Sequence, residues 1–387
     1  MAASQPVRTP ARLDALTGLR FWFAFLVVMH HSLQHWFGPA VYPVADFGYI
    51  GVDFFFVLSG FVLTWSWRPE LPAARFWWNR VARIWPLHLA TLLLAIAFVA
   101  DQVHHPGVIG TIANLLLVQA WFRAQQTYFG YNAVAWSLSC EVFFYLAFPW
   151  LVRGLVRLSA ARRALVVALV VAAMCVYPGA FSLTVAPHDP DGWEWTTYVL
   201  PLWRLGEFVI GIVAALAVRQ GWRPRLRGGV ALAVAVGAAA ALLGVGLRIG
   251  HLPDRAFVEI VGMLIIAGVI CAVAADELAG RRRLLASRLM VSLGAASYAL
   301  YLCHALLFGW VVDHWSASGS GAGRVIGWAA YVAAAVTLAY ALHRLVEVPC
   351  ERWLRRRGAR IWPTRRPAAV PAYPPAAEPE RELLPTR

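Results

Sequence analysis

The sequence predicts an all-α polytopic membrane protein, with about ten transmembrane helices in one bundle and one interfacial or re-entrant segment. Three observations carry that prediction. Of 387 residues, 60% are hydrophobic and 14% charged, where a soluble chain carries nearer a quarter charged. The apolar residues fall in runs close to the ~20 that a helix needs to cross a bilayer. The basic residues, every one an arginine, gather in short segments between those runs.

Taken in order, residues 1–15 form a short cytoplasmic lead with Arg8 and Arg12. The first span, 16–37, lacks a small-residue cleavage site after it and is read as a retained helix rather than a signal peptide. Spans follow near 46–67, 84–100, 134–152, 164–179, 196–218, 229–249, 256–275, 290–312 and 323–345, which together make residues 16–353 one transmembrane domain. Residues 354–387, rich in Arg, Pro and Ala, read as a disordered cytoplasmic tail. The apolar stretch 107–122 is decided by the positive-inside rule. If it stays on the outer side, the arginine clusters at 68–83, 153–163, 219–227, 281–288 and 352–360 all face the cytoplasm, with both termini. If it crossed, every later cluster would flip.

The formal charge of +14 invites a nucleic-acid reading. Arginines confined to short loops between spans fit topology determination instead, so no nucleic-acid partner is expected. The five cysteines are scattered, and their spacing gives neither a disulfide framework nor a metal site.

Ionisable groups at membrane depth persist when they are paired or do chemistry. His31 in the first span, Asp53 in the second, Glu141 in the fourth, Glu207 in the sixth and His304 in the ninth are five such groups, expected to converge on the middle-to-outer layer. Arg20, Arg80 and Arg83 fall at the inner face. Arg20 and His31 are about 16 Å apart along a helix axis. Arg80 and Arg83, at i and i+3, can share one helical face, which suits a bound anion. This suggests a bipartite site, with anions held at the cytoplasmic surface and proton chemistry deeper in. His31 with Glu141 is read as catalytic. Arg204 and Glu207 suit mutual neutralisation as well as function, His304 suits a helix–helix hydrogen bond as well as catalysis, and His30 is read as structural.

Several stretches then resemble one known family, the integral-membrane acyltransferases of type 3, which O-acylate bacterial envelope sugars, oligosaccharide signals and some macrolides. LDALTGLRFWFAFLVVMHHS, residues 13–32, is similar to the family's first-helix signature, an Arg followed by a His, here Arg20 and His31. GVDFFFVLSGFVLT (51–64) carries Asp53, FWWNRVARIWPLH (76–88) the paired arginines, and WSLSCE (136–141) resembles the Trp-Ser-Leu-Ser-x-Glu element with Trp136, Ser137, Ser139 and Glu141. RLGEFVIGI (204–212), SYALYLCH (297–304) and VEVP (346–349) match weaker elements in the right order. The chain departs from the family at Phe21-Trp22-Phe23, where small residues are usual. Those aromatics are expected to narrow or reshape the donor channel. No esterase-like domain follows the last span, so a stand-alone member is expected.

The resemblance implies an acyl-coenzyme A donor, with acetyl the default group, and a sugar, glycolipid or glycosylated small molecule as acceptor. Arg20, Arg80 and Arg83 would hold the donor's phosphates, since a guanidinium forms bidentate, charge-assisted contacts. His31 would act as general base or as acyl carrier, with Glu141 or Asp53 fixing its tautomer. Tyr298, Ser137 or Ser139 would face the oxyanion. Two rivals use the same residues: a secondary transporter with midplane ionisable groups, and a scaffold held by buried polar contacts.

Overall fold

The computed structural model describes residues 12–98, 106–184, 190–249, 255–281, 284–314 and 321–363. Among these residues every regular element is helical. This is what a bilayer permits to an open chain, because each backbone N–H and C=O must find its partner within its own segment. The protein is an all-α, multi-pass membrane protein.

The helices are α1 Asp14–Phe37, α2 Ile50–Trp65, α3 Ala73–Phe98, α4 Gly107–Leu116, α5 Trp136–Arg157, α6 Ala160–Thr184, α7 Pro201–Arg219, α8 Gly228–Ile249, α9 Arg255–Leu278, α10 Arg288–Ala295, α11 Ser297–His314, α12 Gly321–Leu342 and α13 Val348–Ile361. Among the described residues eight segments are long and apolar enough to cross, and the pair α10 and α11, bent by 56°, makes a ninth when taken as one broken span. The apolar helix α8 corresponds to the remaining expected span. Helix α4 has ten residues, a length of ~15 Å, too short to cross the ~30 Å core.

Three boundaries differ from the sequence reading. Helix α3 begins at Ala73, so Arg80 and Arg83 sit about two and three turns inside it and face the bundle rather than a loop. Lateral amphipathicity explains this, because a hydropathy window discards the arginine-bearing turn although its other face is apolar. The expected span 290–312 is broken at Ala296. Residues 354–361, expected in a disordered tail, are helical, because α13 runs to Ile361 and packs on α3. There Trp78 donates to the Leu354 carbonyl (2.7 Å) and Arg75 to that of Trp362 (3.0 Å). Residues 364–387 and 1–11 lie outside those described.

A close seam joins α2 to α7. A Cβ on Gly60 would overlap the backbone of Phe208, and one on Gly211 would overlap that of Val57. Glycine at both positions lets the two backbones touch, as small residues do between membrane helices. Helix α1 lies among α2, α9, α10, α11 and α12, so both of its marked residues, Arg20 and His31, look into the interior. Leu93, Ile96, Leu165, Leu169, Val234 and Val236 point outward, where lipid replaces water as their surroundings.

Candidate active site

Two chambers lie within the bundle. One is at the arginine-rich end, encloses about 150 Å³, and is lined by Arg20 of α1, Ser59 of α2, Arg80 and Arg83 of α3, Ser137, Glu141 and Tyr145 of α5, and Tyr298 of α11. The second, about 180 Å³, is lined by His30, His31, Tyr49, Trp136, Glu194, Tyr198 and Arg255. Val52 and Tyr301 line both, so the chambers share a wall.

The three arginines of the first chamber differ in their partners. Arg83 is ion-paired with Glu347 and with Glu351 (3.1 Å), and its guanidinium lies 5.7 Å from the Tyr298 ring centre. Arg80 lies 5.8 Å from the rings of Phe76 and Tyr145, and its buried Nε has no partner. Arg20 senses Glu141 and Glu347 across the chamber without an ion pair among the described residues. Glu141 instead accepts a hydrogen bond from Tyr145 at 2.7 Å. The chamber therefore presents two guanidinium groups without a contacting counter-ion. A buried charge in that condition is costly unless a ligand supplies the opposite charge.

In the second chamber His31 is held by hydrogen bonds that define its tautomer. Its Nδ1 lies 2.9 Å from the Val27 carbonyl. A carbonyl can only accept, so Nδ1 carries the proton and Nε2 keeps its lone pair. His304 is held likewise, with Nδ1 donating to the Leu300 carbonyl at 3.0 Å. Its acceptor Nε2 then lies 3.3 Å from His31 Nδ1 and shares that N–H. His304 is fully buried, and Tyr331 donates to its backbone carbonyl. His30 donates to the Ala45 carbonyl (2.8 Å), which ties α1 to the segment leading into α2.

The five ionisable residues expected to converge form three separate groups. His31 pairs with His304, Glu141 belongs to the arginine chamber, and Asp53 joins a buried ion cluster. There Arg204 donates to Asp53 (3.1 Å), Glu207 (2.7 Å), Glu259 (2.9 Å) and the Tyr198 carbonyl (2.6 Å). Arg255 reaches Glu259 at 3.3 Å and covers the Tyr198 ring at 3.4 Å. Neither Asp53 nor Glu141 has a hydrogen bond to His31 among the described residues. The sequence reading measured depth along each helix and had no azimuth. Asp53 points from α2 toward α7 and α9, away from α1.

The expected oxyanion donors also separate. Tyr298 donates its hydroxyl to the Ile84 carbonyl (2.9 Å). Ser139 accepts from the Ala120 N–H and lines neither chamber. Ser137 Oγ lies 2.8 Å from the Tyr301 hydroxyl, and both reach the Val134 carbonyl, at the shared wall. Trp136 lines the second chamber against Tyr198, their ring centres 4.7 Å apart. Of the unusual aromatics on α1, Trp22 faces outward, Phe23 stacks on Phe54 with ring centres 3.8 Å apart, and none of the three lines either chamber. Residues missed from the sequence are Tyr145, Glu347, Glu351, Tyr301, Glu259 and Arg255. For Tyr145 the i+4 spacing from Glu141 was the available signal.

A family model described as an acyltransferase domain matches residues 13–344. The chain is 37% identical to the acyltransferase MdmB of Streptomyces mycarofaciens, over 89% of this chain and 93% of that protein. It is 28% identical to the O-acetyltransferase OatA of Staphylococcus aureus, over 36% of this chain and 25% of that protein. It is 29% identical to the putative peptidoglycan O-acetyltransferase YrhL of Bacillus subtilis, over 53% of this chain and 33% of that protein. No solved structure matches the chain significantly.

Proposed function

The chain belongs to the acyltransferase family matched over residues 13–344, which makes it an enzyme transferring acyl groups other than aminoacyl, and from that premise we propose the reaction and the roles of its residues. The enzyme moves an acyl group, acetyl by default, from acyl-coenzyme A to a hydroxyl of a sugar, glycolipid or glycosylated small molecule. The pairing of two chambers across Val52 and Tyr301 carries this reading. One offers guanidinium groups lacking contacting counter-ions, the other an imidazole with a lone pair.

Arg20 and Arg80 receive the donor's phosphates, and the slim pantetheine arm runs along the shared wall toward His31. The aromatic second chamber takes the acceptor. His31 Nε2 removes the hydroxyl proton as the oxygen attacks the thioester carbonyl. The tetrahedral intermediate collapses with loss of coenzyme A thiolate, which recovers the proton from the imidazolium. An acyl-histidine route, in which Nε2 itself attacks the carbonyl, uses the same lone pair. His304 holds His31 in the required tautomer, the part a carboxylate plays in hydrolase triads. The Ser137–Tyr301 hydroxyl pair faces the developing oxyanion, and Glu141 orders the arginine chamber through Tyr145. By the positive-inside rule the arginine-rich end and both termini face the cytoplasm, so the donor arrives from inside and the protein belongs to the cell's inner membrane.

The test supplies isolated membranes with acetyl-coenzyme A labelled in the acetyl group. Label should appear in lipid, polysaccharide or small glycosides and vanish in His31→Ala, while that variant still binds coenzyme A. Undiminished transfer by His31→Ala would overturn the assignment.

A further inference from the structure

Glu351 occupies an unusual position on α13. Its Oε2 accepts from Arg83 of α3 at 3.1 Å, and its Oε1 accepts from Arg355, one turn further along, at 2.5 Å. One carboxylate thus bridges guanidinium groups on two helices. Arg80, which has no contacting counter-ion, lies within electrostatic range of Arg355, Arg83 and Glu351. Three arginines from two helices therefore gather around a single carboxylate beside the first chamber.

The two acids on Arg83 are not equivalent. Glu347 is 1% exposed and holds a second partner, His343, at 2.9 Å. Glu351 is 16% exposed and Arg355 42%. Glu347 is fixed in the interior as the permanent counter-ion of Arg83. Glu351 is partly exposed and can leave by rotating its side chain. Its backbone need not move, because α13 is anchored on α3 through Trp78 and Arg75 and by the close approach of Gly358 to the Trp78 ring.

Resting on the donor reading above, we propose that Glu351 is an internal, displaceable anion in a phosphate seat built by Arg80, Arg83 and Arg355, and that the nucleotide phosphates of the donor take its place. A phosphate brings more negative charge and more acceptor oxygens than a carboxylate, so exchange gains charge-assisted contacts. In the free protein the carboxylate keeps Arg83 and Arg355 pre-formed around a space of anion size. Helix α13, whose second half, with Arg355, fell in the expected disordered tail, is then part of the donor site.

The sign of one substitution separates this from a structural role. Affinity for coenzyme A and for pantetheine, which lacks the phosphates, is measured by calorimetry on the full chain in detergent, with the thermal transition as a check of folding. Glu351→Gln removes the competing charge, and coenzyme A should bind about three- to tenfold tighter, up to ~1.4 kcal/mol, with pantetheine unchanged. Arg355→Gln should weaken coenzyme A about tenfold, again without effect on pantetheine. Unchanged or weaker coenzyme A binding by a folded Glu351→Gln overturns the proposal and leaves the donor reading standing. If Glu351→Gln does not fold, Arg355→Gln decides alone, and wild-type affinity in that variant overturns it. A wild-type protein that binds no coenzyme A removes both the donor reading and this seat.

Discussion

Replacing Asp53 should damage the fold and spare the chemistry, although the sequence made this residue a catalytic candidate. Asp53 is fully buried and its one hydrogen bond is to Arg204, at 3.1 Å the longest of that arginine's three carboxylate contacts. Its other oxygen has no partner. In Asp53→Asn the amide oxygen can still accept from Arg204, which keeps Glu207, Glu259 and the Tyr198 carbonyl. Three carboxylates face two guanidinium groups in the cluster, so the neutral amide also evens the charge. The loss then resembles one buried hydrogen bond made poorer, about 1–2 kcal/mol. Arg204→Leu is a different perturbation. It strips Asp53 and Glu207 of their only side-chain cation and leaves Glu259 with Arg255 alone, which is worth at least about 3–5 kcal/mol. Thermal inactivation half-life in detergent reads stability, and transfer per folded molecule at saturating donor reads chemistry. The expected order is wild type, then Asp53→Asn, then Arg204→Leu in stability, with the turnover of folded Asp53→Asn close to wild type. A stable Asp53→Asn that has lost transfer would refute the argument and return Asp53 to the reacting centre.

Three further outcomes follow from the same geometry. His304→Gln, whose amide oxygen can accept from His31 Nδ1, should retain most of kcat, whereas His304→Leu should lose about 10²-fold with donor KM little changed; equal rates in the two variants would show that His304 does not orient His31. Arg20→Gln and Arg80→Gln should each raise donor KM about tenfold, as loss of ~1.4 kcal/mol of phosphate binding requires, while leaving thermal stability intact because neither makes an ion pair; a fall in stability with unchanged KM would make them structural. Gly211→Val should prevent the α2–α7 seam from closing, read as loss of folded protein in membranes, and normal accumulation of active enzyme would refute the claimed contact.

Much of the architecture was legible because a bilayer permits so little. The count and order of the spans follow from apolar runs, and the short α4 from charge in the flanking loops. The gathering of Arg20, Arg80 and Arg83 was legible too, since all three line one chamber, whereas the presence of Glu141, Ser137 and Tyr298 beside them was not. What the sequence lacked was rotation about each helix. Depth along an axis groups Glu141, Asp53 and His31 at one level, but it cannot say that they face three different directions. The same missing angle hid Glu347 and Glu351, which follow the last apolar run although Arg83 is their partner across 264 and 268 residues. Depth alone also left room for a transporter, which uses buried ionisable groups in the same way. Family membership favours the enzyme, and the pairing of His31 with His304 supplies a physical reason for a histidine there.

The ion cluster and the two chambers lie on different faces of one helix. On α2, Asp53 and Gly60 turn toward α7, the first into the contacts of Arg204 and the second into the backbone of Phe208. Val52, Phe55, Phe56 and Ser59 turn the other way and line the first chamber, and Val52 reaches the second. The rotation of α2 is also held by its backbone contacts with α7 at Gly60 and Gly211 and with α1 at Gly51, and the cluster adds a polar contact to the α7 side of that arrangement. A buried ion pair is weak evidence for stability, but it can select one arrangement among several of similar energy. Together with the glycine contacts, the cluster helps to fix which residues of α2 form the wall between the two chambers. A hydrophobic replacement of the whole cluster that still folds should consequently lose coenzyme A affinity and transfer together, through a rotated wall, with Arg20, Arg80 and His31 all intact.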